Sequence, residues 1–384
     1  MVDLTVLMPT FNRAAILRET LQAMCRVRRG SLAVEFVVID NASTDDTPTV
    51  LREFAGQLPL RCLREPAAGK SRALNRALRE VKLGQLVVFT DDDVTPDPTW
   101  FEAIVAVSQR WPEHSVFGGR IDPTWPSGVT LPFWAADRNI QQLAFSAHHI
   151  SDREGPYPAL AEPFGPNFWV RREALAGLKF REDLGPHPRR RTLGDETEFL
   201  RQLRSNGFAP IYSASSRVLH RVEPERTTES AIYRRAYQFG RGSVHVGSMP
   251  EESLRKTSRA AWHLRVLSNV VVGAWQLAGA ALDPDEKLRF TRVVARTVTL
   301  AKNLEALRWA ASGAPQLAAP GTPARTVERA ANTGAMMRHT VATSTIAPPA
   351  SAHGPGRSPA NKNVQTGLST GSSSTSKEAS SARV

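Results

Sequence analysis

Short apolar runs alternate with helical repeats through the first hundred residues. LTVLMPT (Leu4–Thr10), AVEFVVIDN (Ala33–Asn41), LRCLRE (Leu60–Glu65) and QLVVFTD (Gln85–Asp91) read as strands. Between them, RAAILRETLQAMCRV (Arg13–Val27) puts Ile16, Leu17, Leu21 and Met24 at helical spacing, and DDTPTVLREFAGQL (Asp45–Leu58) and KSRALNRALREV (Lys70–Val81) read as further helices. This order predicts an α/β fold: a Rossmann-like, mostly parallel sheet flanked by helices on both faces. In such sheets a ligand sits at the carboxyl ends of the strands. Those ends are polar here (Pro9-Thr10, Asp40-Asn41 and Asp91 to Asp93), so they are expected to converge on one cleft.

Three neighbouring carboxylates, Asp91-Asp92-Asp93, follow the buried run VVF. Like charges repel, and a buried, unpaired one is costly, so the cluster requires a cation. In an extended chain residues i and i+2 share a side. Asp91 and Asp93 are therefore expected to share a hard divalent ion, Mg²⁺ or Mn²⁺, while Asp92 points away and matters less. The alternative is a solvated turn.

Asp40 ends a buried strand, where an acidic side chain accepts from a base or ribose, or else caps a turn. Ser43, Thr44 and Asp45 read as turn and N-cap residues. In PAAGKSRALNRALRE, Gly69, Lys70 and Arg72 open a helix whose amide groups favour an anion. Arg72 is expected to reach a diphosphate, and Arg76 and Arg79 to form a solvated face. Asp195 and Glu196 open an amphipathic helix through Phe199, Leu200 and Leu203. Acids there complement the dipole, or one acts as a general base.

The segment from Trp111 to about Arg226 reads as irregular, rich in Pro, Gly and Trp. Trp125, Trp134, Phe168 and Trp169 suit either the core or sugar stacking. A helical extension follows, in which VLSNVVVGAWQLAGAAL (Val266–Leu282) is uncharged. Its length is at the lower limit for a membrane span, so a packed or membrane-surface helix is expected. From residue 311 the chain is Ala/Ser/Thr/Gly/Pro-rich and is expected to be disordered. The resulting domains are 1–225, 226–310 and 311–384. The net charge is +12. The tail holds seven Lys/Arg against two acids, leaving about +7 for the remainder. No nucleic-acid-binding pattern accompanies that charge, so nucleic acid is not an expected partner. The two cysteines, Cys25 and Cys62, do not form a metal or disulfide framework. The N-terminus does not read as a signal peptide, which leads to an expected cytoplasmic location with peripheral contact at the inner membrane face.

The set VLMPTFNR, VVIDNASTDDT, GKSRALNRA, VVFTDDDVTPDP, GPNFWVRREAL and LGDETEF, in this order over about Leu4 to Val222, resembles the family 2 glycosyltransferases. That resemblance implies a GT-A fold and an inverting, metal-assisted transfer, by single displacement, from a nucleoside-diphosphate sugar to a hydroxyl. The acceptor would be a glycan, a lipid-linked compound or a small molecule, as in cell-envelope polysaccharide biosynthesis. It implies donor contacts from Pro9, Thr10, Asn12, Arg13, Asp40, Arg72, Asp91 and Asp92, and metal ligation by Asp93 with Asp91 and His220. Glu196 is implied as the base, with Asp195 as the alternative because the family's usual Glu-Asp order is reversed. The Q/RxxRW signature of the processive membrane synthases is absent. A non-catalytic sugar-nucleotide-binding or scaffold protein is the alternative function.

Overall fold

The computed structural model describes residues 2–128, 130–159, 161–187, 190–246 and 259–311. The tail expected to be disordered lies, past Ala311, outside the described residues. The N-terminal alternation is realised as β1 (Leu4–Thr10), α1 (Ala14–Cys25), β2 (Val34–Asp40), α2 (Thr47–Phe54), β3 (Leu60–Arg64), α3 (Lys70–Glu80) and β4 (Leu86–Phe89). Their four strands pair in parallel, with Thr10 in register opposite Asp40. Alternation along β1 sends Leu4, Val6 and Met8 to one face and Leu7 to the other. The first face is covered by Leu17 and Leu21 of α1, Val50 and Phe54 of α2, and Trp100, Phe101 and Ile104. The second is covered by Ala73 and Leu74 of α3 and by Phe199, Leu200 and Leu203. A strand buried on both faces is apolar throughout, which is why these strands read as continuous runs.

The remaining elements are β5 (Val94–Pro96), α4 (Trp100–Arg110), β6 (Val116–Thr124), α5 (Arg138–Phe145), β7 (Gly155–Pro156), β8 (Phe168–Arg171), β9 (Gly185–His187), β10 (Arg190–Thr192), α6 (Asp195–Ser205), β11 (Pro210–Arg221), α7 (Glu229–His245), α8 (Arg259–Ala281) and α9 (Glu286–Ala311). The sheet order is β3-β2-β1-β4-β8-β6-β11-β5, with β7 on β11. The segment expected to be irregular thus supplies the middle of the sheet. β8 inserts antiparallel between β4 and β6. Its first three residues, Phe168, Trp169 and Val170, are apolar and buried on both faces, and Pro and Gly precede them, so no period-two pattern announced it. Trp134, Phe168 and Trp169 are buried core residues. Trp125 packs edge-on against Phe145.

The C-terminal helices join the body through an aromatic cluster. Trp134 stacks on both Phe145 and Phe290, with Ile232 and Ala236 of α7 alongside. None of the described helices is long and apolar enough to cross a membrane. α8 instead buries Val266 against Val244 and Ala306. The opposite side of α8 exposes Leu264, Leu267, Val271, Val272 and Trp275, the last 78% exposed.

Candidate active site

The acidic triplet leaves β4 at Thr90 and turns before β5 begins at Val94. Because the turn is not extended, the two-residue alternation does not apply, and each aspartate meets different partners. Asp91 accepts from Lys70 Nζ at 2.6 Å. Asp92, which is buried, accepts from Thr10 Oγ1 at 2.6 Å and Arg13 Nη1 at 2.7 Å, and its carbonyl accepts from Thr20 Oγ1 at 2.5 Å. Asp93 faces Arg13 Nη2 at 3.0 Å and His220 Nε2 at 3.3 Å. The expected side-by-side placement of Asp91 and Asp93 is therefore corrected: Lys70 draws one away and Arg13 holds the other. The lesser weight given to Asp92 is also corrected, since it ties the turn to β1 and α1.

Electrostatics separates these carboxyls. Burial raises Asp92 to about 6 against the pull of Arg13, with Asp93 and Asp91 adding to the rise. Burial would raise Asp93 too, but His220, Arg13 and Arg226 outweigh it and keep Asp93 ionised, well below the usual carboxylate range. The pairing of β5 with β11 causes this: Val94 opposes His220 and carries that ring to Asp93. Asp93 Oδ1 and His220 Nδ1 are buried without a well-aligned hydrogen bond, although Asp93 Oδ1 lies within ion-pair range of His220 Nε2. Among the described residues, no group of three His, Cys, Asp or Glu is arranged around a common ion position. An under-coordinated carboxylate oxygen facing an imidazole nitrogen does fit two ligands of a hard or borderline cation, with the remaining ligands coming from substrate or water.

Lys70 joins the strand edge to the downstream acidic pair. Its Nζ lies 2.6 Å from Glu196 Oε1 as well as from Asp91. Gly69 makes that placement possible: its φ of +137° belongs to glycine's region, and its amide donates to Asn41 Oδ1 at 2.6 Å. Asp195 and Glu196 open α6, held by the burial of Phe199, Leu200 and Leu203. Asp195 is fully buried, while the Glu196 side chain is 21% exposed. Burial and the charge of Glu196 raise Asp195 well above the carboxylate range, although Lys70 opposes this. Burial also acts to raise Glu196, but Lys70 and Asp195 outweigh it and hold Glu196 at about 2. The pair thus divides into a protonated inner member and an ionised outer one. Gly165, within GPNFW, makes room for the outer member, since a Cβ there would lie 2.7 Å from Glu196 Oε1.

The other expected residues form a second side of the cleft. Pro9 and Thr10 end β1 beside Asp40. Asp40 accepts from Arg64 Nη1 at 2.8 Å and from the amide of Ser43 at 2.9 Å. Asn12, at φ +52°, ties two loops together by accepting from the Thr44 amide at 2.7 Å. Arg13 also pairs with Glu223 at 2.8 Å. Arg72 is not brought to the acidic cluster: its guanidinium meets Glu182 at 3.2 Å on the surface. The cation of this helix that meets the acidic cluster is Lys70. Glu223, Arg226 and Arg235 were also missed; their signals were the charged runs RVEPER and YRRAYQFGRG.

With this geometry in place, the comparisons are specific. Residues 5–177 match the family model described as "Glycosyl transferase family 2". The chain is 25% identical over 267 residues to glycosyltransferase AglE of Haloferax volcanii, covering 68% of this chain and 79% of that protein. It is 30% identical over 247 residues to the probable glycosyltransferase YdaM of Bacillus subtilis, covering 63% of this chain and 55% of that one. It spans only 12% of a Pasteurella multocida hyaluronan synthase, at 30% identity over 121 residues. The fold superimposes with TM-score 0.50 and 21% identity on a mannosyltransferase from Pyrobaculum calidifontis, covering 78% of this chain and 86% of that one. The fold is of the GT-A type. Residues 5–177 belong to glycosyl transferase family 2, and the chain is a glycosyltransferase.

Proposed function

We propose that this enzyme moves a sugar from a nucleoside-diphosphate donor to an acceptor hydroxyl by a single inverting displacement. The observation that carries the reading is Lys70, whose ammonium lies against both Asp91 and Glu196 and so puts the acidic strand edge and the α6 carboxylate in one cleft. Glu196 is the base: it is ionised and reaches the cleft, whereas Asp195 is buried and protonated. Asp195 backs it and helps keep the outer carboxylate free of the proton. Asp40, Thr10, Asn12 and Arg13 line the donor side, with Asp40 placed for the base or ribose.

Asp93 and His220 would hold a divalent cation, with Asp91 joining once Lys70 moves aside; such an ion supplies charge stabilisation to a leaving diphosphate. A neighbour of the same fold was solved with GDP-mannose and Mn²⁺, which supports a divalent ion and a donor of this class. Arg13 and Lys70, which pair with these carboxylates in the protein alone, would offer their charges to the diphosphate when a donor is bound. The acceptor is lipid-linked, presented where the exposed apolar side of α8 rests on an anionic membrane surface. The experiment is donor turnover by the full chain with Mn²⁺ or Mg²⁺. E196Q and D93A are expected to lose at least a thousandfold; full rates in either variant would refute the assignment. Turnover by wild type that is absent in every nucleotide-sugar tested would instead favour the scaffold alternative.

A further inference from the structure

Two arginines of the cleft stand outside that account. Arg226, in the turn Pro224–Thr227, donates Nη2 to the carbonyl of Ala144 at 3.3 Å. Arg235, on α7, donates Nε to the carbonyl of Leu143 at 3.3 Å. Consecutive carbonyls in the last turn of α5 thus hold two like-charged groups side by side. A helix C-terminus favours cations, which explains the anchoring, but by only about 0.3–1 kcal/mol. The neighbouring acids do not complete the match. Arg226 Nη1 is 3.9 Å from Asp93 Oδ2, beyond hydrogen-bond reach. Arg235 has no carboxylate at ion-pair distance among the described residues, and its two terminal amino groups are uncommitted. Burial, with Arg226 beside it, pulls the Arg235 guanidinium down to about 10, while Glu196, Asp195 and Asp91 act in the opposite direction. It is therefore charged at neutral pH and lies within the field of the proposed reaction centre.

Two adjacent, half-buried guanidinium groups with spare N–H donors are matched by an oxyanion that accepts several hydrogen bonds at once. We propose that Arg226 and Arg235 together form a phosphate-binding site on the C-terminal wall of the cleft. The site deepens the transferase reading and rests on it for its place beside Glu196. The same chemistry has two sources, the diphosphate of the donor or a phosphate carried by the acceptor, and binding measurements separate them.

The test is calorimetric titration of the full chain with inorganic phosphate, pyrophosphate, UDP and GDP, comparing wild type with R226Q, R235Q and R235K. Wild type is expected to bind pyrophosphate. Each glutamine variant should weaken it at least tenfold, as loss of one charge-assisted contact implies, and R235K should fall between. If the donor supplies the phosphate, the affinity for UDP or GDP falls by the same factor, while that for uridine or guanosine does not. If the acceptor supplies it, UDP and GDP bind unchanged, and phosphate binding to the nucleotide-saturated protein is lost. Unchanged phosphate and pyrophosphate affinity in both glutamine variants, or a wild type that binds neither anion, overturns the site. Should a variant fail to fold, phenylglyoxal modification of wild type gives the same decision. Pyrophosphate should protect Arg226 and Arg235 in peptide mapping, and absence of protection also overturns the site. Anion binding is read without turnover, so this result stands apart from that of E196Q.

Discussion

Lys70→Met is the most informative single change. It keeps much of the side-chain volume and removes the ammonium that lies 2.6 Å from both Asp91 and Glu196. In the wild type Lys70, together with the hydrogen bond to Asp195, outweighs burial and holds Glu196 at about 2, against an ordinary 4.5. That difference corresponds to about 3 kcal/mol of preference for the ionised form. The sign follows from linkage. A carboxyl whose folded value lies below its unfolded value adds stability above the unfolded value and loses it as pH falls through the folded one. In metal-free protein the variant should therefore be less stable by roughly 3 kcal/mol at pH 7, since removing one partner strands a half-buried charge. The deficit should shrink as pH falls below about 5, because a protonated Glu196 no longer needs the cation. Urea denaturation at pH 7 and pH 4, with EDTA present, measures both. The acid limb of the pH–rate profile should also move upward, because Glu196 then protonates nearer neutrality. An equal deficit at both pH values, together with an unmoved acid limb, would refute the claim that Lys70 sets the ionisation of Glu196.

Asp92→Ala should destabilise the fold by roughly 3 kcal/mol in chemical denaturation, because it strands the Thr10 hydroxyl and the Arg13 guanidinium, while Thr20 keeps its bond to the backbone carbonyl of residue 92. Gly165→Ala should cost transfer tenfold or more with a small change in melting temperature, since its Cβ displaces the end of the Glu196 side chain. His148 is buried, stacks on Phe164, and is pulled by burial to about 4 from 6.5. The unfolded chain takes up that proton first, so stability should fall by about 2 kcal/mol between pH 7.5 and pH 5, and His148→Phe should flatten the dependence. Serine at Val271 and Trp275 together should abolish flotation with phosphatidylglycerol vesicles while leaving donor hydrolysis in solution intact; unchanged flotation rules out α8 as the membrane face.

The legible part of this molecule is the part governed by local periodicity. Strands β1, β2 and β4 are buried on both faces, and polar residues that stay buried at their carboxyl ends, Thr10, Asp40 and Asp92, mark the cleft. β8 and β11 follow a different rule. They are specified by the strands they join and by the glycines and prolines that let loops cross the sheet edge, and neither leaves a two-residue signature. Helix α3 shows the same limit within the site itself. Lys70 and Arg72 are two residues apart, so on a helix they point about 200° apart. Ser71, Leu74 and Asn75 fix which side faces inward: Ser71 Oγ donates to the Leu184 carbonyl at 3.0 Å and Asn75 Nδ2 to that of Phe180 at 2.9 Å. With those side chains buried, Arg72 turns outward to Glu182, and Lys70, in the first turn, reaches back over the strand ends. The composition of GKSRALNRA called for a cation at the acidic cluster, and its helical phase chose which one. Read that way, the charge of the triplet is answered separately at each position. Lys70 meets Asp91, while Arg13 bridges Asp92 and Asp93 and His220 stands at the second oxygen of Asp93. An entering cation and diphosphate would exchange these partners for stronger ones, so the protein ion pairs in this cleft are the ones that donor binding is expected to break.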